Sequence, residues 1–240
     1  MKVSEKAVEN PFRFYPRKQL QGMLDAGNEI LECYRVLEKT EANTVGEMIA
    51  GAETFYEYDH YPDGDVYDNE THAQYYYHAH REDVDEHGHF HTFLRRKGMP
   101  DDIVPAPYDG EAERPLGDDE LSHLVAISMD TYGYPTALFT TNRWVTDETW
   151  YKADDVIRMV DLFLIDHTFP NWAVNRWISA MTRLFRPQIV EILKERDEKV
   201  ATWQAAHPGV DVYEDRDLEL ITSIPVSVEG QMAIVSEALA

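Results

Sequence analysis

Apolar residues near the start of the chain recur every three to four positions, the spacing of a helix with one buried face. This spacing predicts a helix over about 17–39, whose apolar positions are Leu20, Met23, Leu24, Ile30, Leu31, Tyr34 and Leu37. The stretch Thr44-Val45-Gly46-Glu47 has the pattern of a capping box. It predicts a second helix over about 44–57.

The spacing of apolar residues changes to two from about residue 72. An aromatic and acidic stretch over 56–72, which contains Pro62 and Gly64, precedes this change, and we interpret it as a loop. A second loop is predicted over 96–120, because this segment is polar and rich in proline. The alternating residues on either side of it predict strands at about 73–80, 87–95, 122–130 and 136–144.

Helical spacing returns in the last third of the chain. It predicts a helix over about 147–166 and another from Trp172, which Pro187 breaks or kinks before it resumes towards Trp203. A short strand and a closing helix follow, with Ser227 as the expected N-cap. We therefore expect a single α+β domain over 1–240, with an antiparallel β-sheet of about four to five strands covered by several α-helices.

The net charge of the chain excludes some classes of binding partner. Acidic residues outnumber basic ones 45 to 22, which gives a formal net charge of −23. Such a surface repels phosphate backbones and anionic lipids, so neither nucleic acid nor a membrane is expected as a partner. No apolar run approaches the ~18 residues of a membrane span, and the first residues lack the apolar core of a signal peptide. The single cysteine, Cys33, excludes a disulfide within the chain and favours a cytoplasmic location.

The candidate chemistry lies in the stretch "YYYHAHREDVDEHGHFH", which holds five of the ten histidines. Residues two apart on a strand point to the same face. If the six residues "REDVDE" close a hairpin within 73–95, His80 lies opposite His87, His78 opposite His89, and Tyr76 opposite His91. Directly opposed residues share a face. This register therefore places all five imidazoles on one side of the hairpin, and a slip of one residue on either strand would separate the two sets.

Five neighbouring imidazoles repel each other if they are charged, and each has a donor and an acceptor to satisfy if it is neutral. A divalent transition metal resolves both problems. The pair His89 and His91 supplies two ligands and His78 is the natural third, while His80 and His87 complete this site, build a second one or lie around it. The alternative is a hydrated polar face that binds no metal.

Other residues are candidates for the surroundings of this centre. His123 and Arg143 are expected opposite each other on the next two strands, as a further ligand or proton shuttle and as an anion clamp. Their alternative is a polar pair at a strand end. Tyr76 could donate a hydrogen bond to an oxygen ligand of the metal, or only pack. Arg176 lies in the second Asn-Arg-Trp motif, so it is either a substrate clamp stacked on tryptophan or a structural arginine.

These residues favour a metal-dependent enzyme that acts on a small molecule, with iron, zinc or copper as its cofactor. No carboxylate stands at H-x-D/E spacing on these strands, so an iron site with two histidines and one carboxylate is not indicated. The surplus of imidazoles and the nearby tyrosines favour iron or copper redox chemistry slightly over zinc hydrolysis. The alternative is a metal carrier or sensor without turnover, and a homodimer stays open. An enzyme should bury the cluster, whereas a carrier should expose it at a rim.

Four stretches, "EHGHFHTFLRR", "HLVAISMD", "LFTTNRWVT" and "VNRW", resemble an uncharacterised bacterial family that is known only as a domain of unknown function. The resemblance covers most of the chain from about residue 55 and implies no activity. The sequence "HFH" alone is similar to the sheet-borne H-x-H of α-type carbonic anhydrases and cupin-type oxygenases. Because the cupin glycine pattern is missing, we interpret this likeness as convergent chemistry.

Overall fold

The computed structural model describes residues 10–52, 54–80 and 86–240. In these ranges six strands form one antiparallel sheet, in which each strand pairs with the next along the chain. The expected α+β fold is confirmed, with at least one more strand than predicted. The strands are β1 (Tyr61–Tyr67), β2 (Ala73–His78), β3 (Gly88–Arg95), β4 (Leu121–Met129), β5 (Pro135–Thr141) and β6 (Leu220–Pro225).

Helices precede the sheet and follow its fifth strand. No helix in the described ranges is both long and apolar enough to cross a membrane. The helices are α1 (Arg17–Glu38), α2 (Thr44–Ile49), α3 (Arg143–Thr146), α4 (Ala153–Val160), α5 (Trp172–Leu184), α6 (Arg186–Ala206) and α7 (Val228–Leu239).

The main core lies on one face of the sheet. On that face Tyr75 donates a hydrogen bond of 2.6 Å to Asn175 of α5, and the ring of Phe90 packs 5.3 Å from that of Trp177. On the same face at the other edge of the sheet, Thr222 of β6 donates to the carbonyl of Ile192 in α6. Helices α5 and α6 therefore cover the same face, which we call the core face. The opposite face carries His78, His89 and His91 and is called the histidine face below.

The first predicted loop is wrong in part, because β1 lies inside it. Pro62 and Gly64 argued against a strand there, but β1 is the edge of the sheet, where a proline breaks no ladder. The pairing of β1 with β2 is also irregular between Tyr61 and Val66. The predicted second helix ends at Ile49 rather than at 57, since the chain turns at Ala52 just after Gly51.

The region after the fourth predicted strand also differs from the prediction. Strand β5 ends at Thr141, and Asn142 accepts a hydrogen bond from the amide of Arg143 to start α3. The left-handed backbone of Asp147 (φ 51°) ends α3, so the helix predicted over 147–166 is limited to α4. The break at Pro187 and the cap at Ser227 are confirmed, because Pro187 lies in the first turn of α6 and Ser227 accepts from Gly230.

Candidate metal centre

The predicted register of the histidine hairpin is confirmed. His78 pairs with His89 and Tyr76 with His91 across β2 and β3. Because opposed residues share a face, these four side chains project from the same side of the sheet. The register of β2 against β3 therefore places the three histidines on one face, next to each other.

The three histidines form the one group of His, Cys, Asp and Glu side chains in the described ranges that could hold a metal ion. One ring nitrogen from each of His78, His89 and His91 lies within 4.8 Å of the other two. The Nε2 atoms of His78 and His89 are 2.8 Å apart. The side chains are deeply buried, with 8%, 1% and 0% of the surface of His78, His89 and His91 exposed.

The outer nitrogens of two of these rings have their own partners. Nδ1 of His89 lies 2.9 Å from Oε1 of Glu86, and Nδ1 of His91 lies 2.9 Å from Nε2 of His123. With Nδ1 engaged, Nε2 is the nitrogen that each of these two rings has left for a metal ion. Nε2 of His91 is buried and has no hydrogen-bond partner in the described part of the chain. Such an orphaned nitrogen in a polar cluster is what a metal ion would satisfy.

The spacing of the nitrogens suits a transition metal. Metal–imidazole bonds of about 2.0–2.1 Å at angles of about 90–110° place neighbouring nitrogens about 2.8–3.4 Å apart. The Nε2 atoms of His78 and His89, which are 2.8 Å apart, are already at the short end of this range. One ring nitrogen of His91 lies within 4.8 Å of the other two, so the triad can close around an ion by a shift of its side chains.

Burial keeps the imidazoles of His78, His91 and His123 neutral. It lowers the pKa of His78 to about 2, and the neighbouring rings of His89, His80 and His60 lower it further in the same direction. Burial also holds the pKa of His91 well below its usual range and lowers that of His123 to about 3. A neutral imidazole is the form that binds metal. The face is therefore prepared for ligation across the physiological range of pH.

Of the other two predicted ligands, His80 lies beside the triad and His87 points to the core face. Strand β2 ends at His78, and the half-buried ring of His80 stacks 5.3 Å from Tyr58, with its centre 4.8 Å from that of His78. The prediction for His87 is wrong in orientation. Its Nδ1 lies 2.6 Å from the hydroxyl of Tyr77, which belongs to the core face. Because β3 begins only at Gly88, the alternation that was expected to aim His87 at the cluster does not extend to it.

His123 reaches the cluster through a bulge that the sequence did not indicate. Strand β4 pairs Ala126 with His91, yet it pairs His123 with Phe93. One extra residue therefore lies on β4 between these pairs, and His123 shifts onto the histidine face. The sequence pattern had placed it in phase with core residues such as Val125.

Tyr76 lies beside the triad, and a histidine that sequence reasoning missed covers it. The ring of His60 stacks on Tyr76 with centres 3.6 Å apart and stands edge-on to His78 at 5.6 Å. Tyr76 also packs 5.2 Å from His91. Burial raises the pKa of Tyr76, so its hydroxyl stays protonated. His60 precedes an irregular edge strand, so no periodicity linked it to the cluster.

An open cleft of about 1300 Å³ runs along β1 and meets the cluster at His60. Its lining also includes Gln74 and Arg95, which lie on the histidine face and are joined by a hydrogen bond of 2.6 Å. Nδ1 of His60 lies 3.0 Å from a carboxylate oxygen of Asp65, another lining residue. The cleft therefore approaches the triad from the side of His78.

The expected pairing of Arg143 with His123 is wrong, because Arg143 lies in α3 and not on β5. Its guanidinium instead donates 2.5 Å to Glu214 and 3.2 Å to Asp147. It also donates to the carbonyl of Glu148, whose carboxyl group accepts a hydrogen bond from the amide of His123. Arg143 is therefore linked to His123 through Glu148.

Arg176 lies away from the histidine face. It forms an ion pair with Glu29 of α1 and is 5.5 Å from the ring of Trp172. Its helix, α5, packs on the core face. These contacts, which join α5 to α1, favour the alternative role given above, that of a structural arginine.

Two buried carboxyl groups near the centre were also missed. Glu86 is only 2% exposed and contacts His89, and Glu148 is only 1% exposed and accepts a hydrogen bond of 2.6 Å from the amide of His123. Burial raises the pKa of Glu148 to about 7, against the opposing effect of Arg196. Both residues lie in segments without regular secondary structure, and the helix predicted over 147–166 had wrongly included Glu148. The only available signal for Glu86 was its position three residues before His89.

No curated protein and no solved structure matches the chain. One family model does match, over residues 24–226, and therefore covers well over half of the sequence and every residue of the triad. The chain belongs to the family described as the domain of unknown function DUF6969.

Proposed function

We propose that this protein is a metal-dependent enzyme that acts on a small molecule, with a transition metal held by His78, His89 and His91. The observation that carries the proposal is the buried convergence of three ring nitrogens, one of which, Nε2 of His91, has no partner in the described part of the chain. A buried polar nitrogen without a partner costs about 1–3 kcal/mol, so a cluster of this kind needs a ligand to explain it.

The ligand set decides what chemistry is open. Three neutral imidazoles leave the full positive charge on a bound ion, which then supplies Lewis-acid or one-electron chemistry. Three protein ligands also leave coordination positions for water or substrate, as in catalytic zinc sites, whereas structural zinc sites are closed by four. Imidazole suits iron, copper and zinc alike. We favour iron or copper redox chemistry because Tyr76 lies beside the triad, and we keep zinc-assisted hydrolysis as the competing reaction.

The surroundings favour turnover over transport. The triad is 0–8% exposed, whereas a carrier that hands its metal to a partner needs a ligand set at a rim. The cleft along β1 gives a small molecule an approach that ends at His60, whose ring centre is 5.6 Å from that of His78. On this proposal His60 and Tyr76 line the approach, and His123 and Glu86 support the ligands. Arg143 does not contact the ligands but binds the carbonyl of Glu148, and so supports the segment that holds His123.

The first test is the metal content of the full-length protein, purified without a histidine tag. We expect iron, copper or zinc close to one ion per chain by elemental analysis. The variant His91→Ala should lose about a hundredfold to a thousandfold in affinity, because structural zinc binding of about 10–16 kcal/mol over four ligands assigns about 2.5–4 kcal/mol to each. A protein that contains no transition metal and takes none up on titration would remove the proposal.

His87→Ala is the matched control for His91→Ala. It removes an imidazole from the same strand region, but from the core face, where His87 contacts Tyr77. We expect it to keep full metal occupancy. Loss of metal in His87→Ala to the same extent as in His91→Ala would contradict the assignment of the ligands.

A second measurement separates an enzyme from a carrier. With Co²⁺ in the site, azide should bind to an open coordination position and change the visible absorption spectrum. With Fe²⁺, nitric oxide should give the electron paramagnetic resonance signal of an exchangeable iron site. A Co²⁺ spectrum that is indifferent to azide, together with a four-nitrogen coordination shell by X-ray absorption, would favour the carrier or sensor.

A further inference from the structure

The bulge in β4 changes the direction of a single chemically important side chain. Up to the pair Thr92 and Val125 the ladder between β3 and β4 is regular, but the next pair is Phe93 with His123. In a regular ladder Phe93 would face Leu124, and His123 would point to the core face together with Val125. Bulges are common next to functional sites, where they re-aim a side chain. Here the extra residue places Nε2 of His123 2.9 Å from Nδ1 of His91.

A buried carboxyl group holds the bulged backbone in place. The amide of His123 donates 2.6 Å to Oε2 of Glu148. The next residue, Thr149, donates its amide to the carbonyl of Leu121, so the segment after α3 is fixed alongside the start of β4. The ring of Phe93 packs 5.3 Å from the ring of His123. His123 is 3% exposed, and these contacts leave its ring little freedom to turn away from His91.

The contact between His91 and His123 can form with either of two tautomers of His91. If Nδ1 of His91 carries the proton, it donates to Nε2 of His123, and Nε2 of His91 keeps a lone pair for a metal. If His123 donates instead, Nε2 of His91 carries the proton and becomes a buried donor, for which the described residues offer no acceptor. Only the first arrangement is compatible with ligation through Nε2. Metal-bound histidines commonly donate their other ring nitrogen in this way, and this contact fixes the tautomer and the orientation of the ring.

We propose that His123 is a positioning residue of the metal centre, which accepts a hydrogen bond from Nδ1 of His91 and so holds Nε2 of His91 towards the metal. The proposal rests on the proposed metal site and goes beyond it. It assigns His123 neither to the ligands nor to proton transfer, but to the tautomer of a ligand. The bulge and Glu148 are the parts of the fold that keep it in this position.

The first test needs no substitution. In the Zn²⁺-loaded protein with ¹⁵N-labelled histidine, two-bond ¹H–¹⁵N spectra show which ring nitrogen carries the proton. We expect His91 to be protonated at Nδ1 and bound through Nε2, with the Nδ1 proton protected from exchange. A spectrum with His91 bound through Nδ1 would overturn the proposal while leaving the metal site intact.

The second test removes the acceptor. His123→Phe keeps a ring of similar size but cannot accept the hydrogen bond, and we expect its affinity for Zn²⁺ and Co²⁺ to fall about 10–100-fold. The wavelengths of the Co²⁺ absorption bands should change little, because the ligands are the same. His123→Gln restores an acceptor near the position of Nε2 and should bind more tightly than His123→Phe. His87→Phe, the same change on the core face, should match the wild type.

The outcomes separate the two proposals. A wild-type protein that binds neither Zn²⁺ nor Co²⁺ removes the metal site and this inference together. If the wild type binds metal and His123→Phe binds equally tightly, the metal site stands and the positioning role is wrong. If His123→Phe loses binding as completely as His91→Ala, with a changed Co²⁺ spectrum, His123 is itself a ligand and the positioning role is again wrong.

Discussion

The two faces of the hairpin formed by β2 and β3 are built from alternate residues of the same short sequence, yet they differ in kind. On the core face Tyr75, Tyr77 and Phe90 pack against the helices, and the hydroxyl of Tyr75 finds its acceptor in α5. On the histidine face His89 and His91 flank Phe90 in the sequence and point the other way. Their buried nitrogens contact other imidazoles and carboxyl groups.

The core face therefore stabilises the fold, whereas the histidine face lowers its stability. Burial of a large apolar side chain on the core face contributes about 1.5–3 kcal/mol. Neutral imidazoles buried close together gain little and leave at least one nitrogen unsatisfied in the described residues. Sites that oppose stability in this way are expected where function requires them.

Acid should destabilise the metal-free protein steeply through the histidine face. The pKa of His78 is lowered to about 2 and that of His123 to about 3, and the pKa of His91 is also well below its usual value. Below about pH 6.5 the unfolded chain therefore binds more protons than the folded chain. Stability is fully present above that pH and decreases as the pH falls towards 3. Each histidine lowers the free energy of unfolding by about 1.4 kcal/mol per pH unit, so the three together lower it by about 4 kcal/mol per pH unit.

Chemical denaturation of the metal-free protein between pH 7.5 and 5 measures this slope. His123→Phe should reduce it by about 1.4 kcal/mol per pH unit, because one of the three titrating histidines is removed. Tyr77→Phe is the control from the core face and should leave the slope unchanged. A free energy of unfolding that is flat from pH 7 to pH 5 would show that the imidazoles are not held neutral by the fold.

Glu148 should produce the opposite dependence on pH. Its pKa is raised to about 7 from 4.5, so the folded protein holds a proton that the unfolded chain has released. Between these two values stability falls as the pH rises, and at pH 8 the buried charge costs up to about 3 kcal/mol. Glu148→Gln removes that charge and keeps an acceptor for the amide of His123. It should therefore stabilise the metal-free protein at pH 8 and leave it almost unchanged at pH 4.5.

The control for Glu148→Gln is Glu191→Gln, which neutralises an exposed carboxylate on α6. We expect this variant to follow the wild type at both values of pH. Equal stability of Glu148→Gln and the wild type at pH 8 would mean that the carboxylate is already well stabilised, with Arg196 outweighing its burial.

The parts of the centre that could be predicted from the sequence are those with strict alternation. The spacing of His78, His89 and His91 and the six residues expected to close the hairpin were enough to determine the register. The same reasoning failed for the direction of His87, because it lies just before β3, where alternation no longer determines direction. His80 also lies outside its strand, yet its ring stays beside those of His78 and His89. The α+β order of the elements followed from periodicity in the same way.

The remaining residues of the site could not be predicted because they depend on irregular backbone. A bulge has no periodic signal, so the sequence named His123 as a neighbour of the centre without predicting the irregular backbone that turns it to the histidine face. His60 precedes an edge strand that contains a proline, and Glu148 lies in the segment between α3 and α4, where the start of a longer helix was predicted. These features are decided by packing between distant segments, which a local pattern of apolar and polar residues does not record.

The smallest expected effect comes from the same substitution on each face. Phe90 and Phe139 are both almost fully buried, but Phe139 contacts the rings of His89 and His91 at 5.2 and 6.1 Å, whereas Phe90 packs against Trp177. Changing either residue to Leu should cost about 1 kcal/mol of stability, because volume is largely kept. Only Phe139→Leu should weaken Zn²⁺ binding, since it loosens the wall that orients two ligands. Competition with a chromophoric chelator measures this difference. Equal loss of affinity in both variants would mean that global destabilisation, and not the histidine face, governs metal binding.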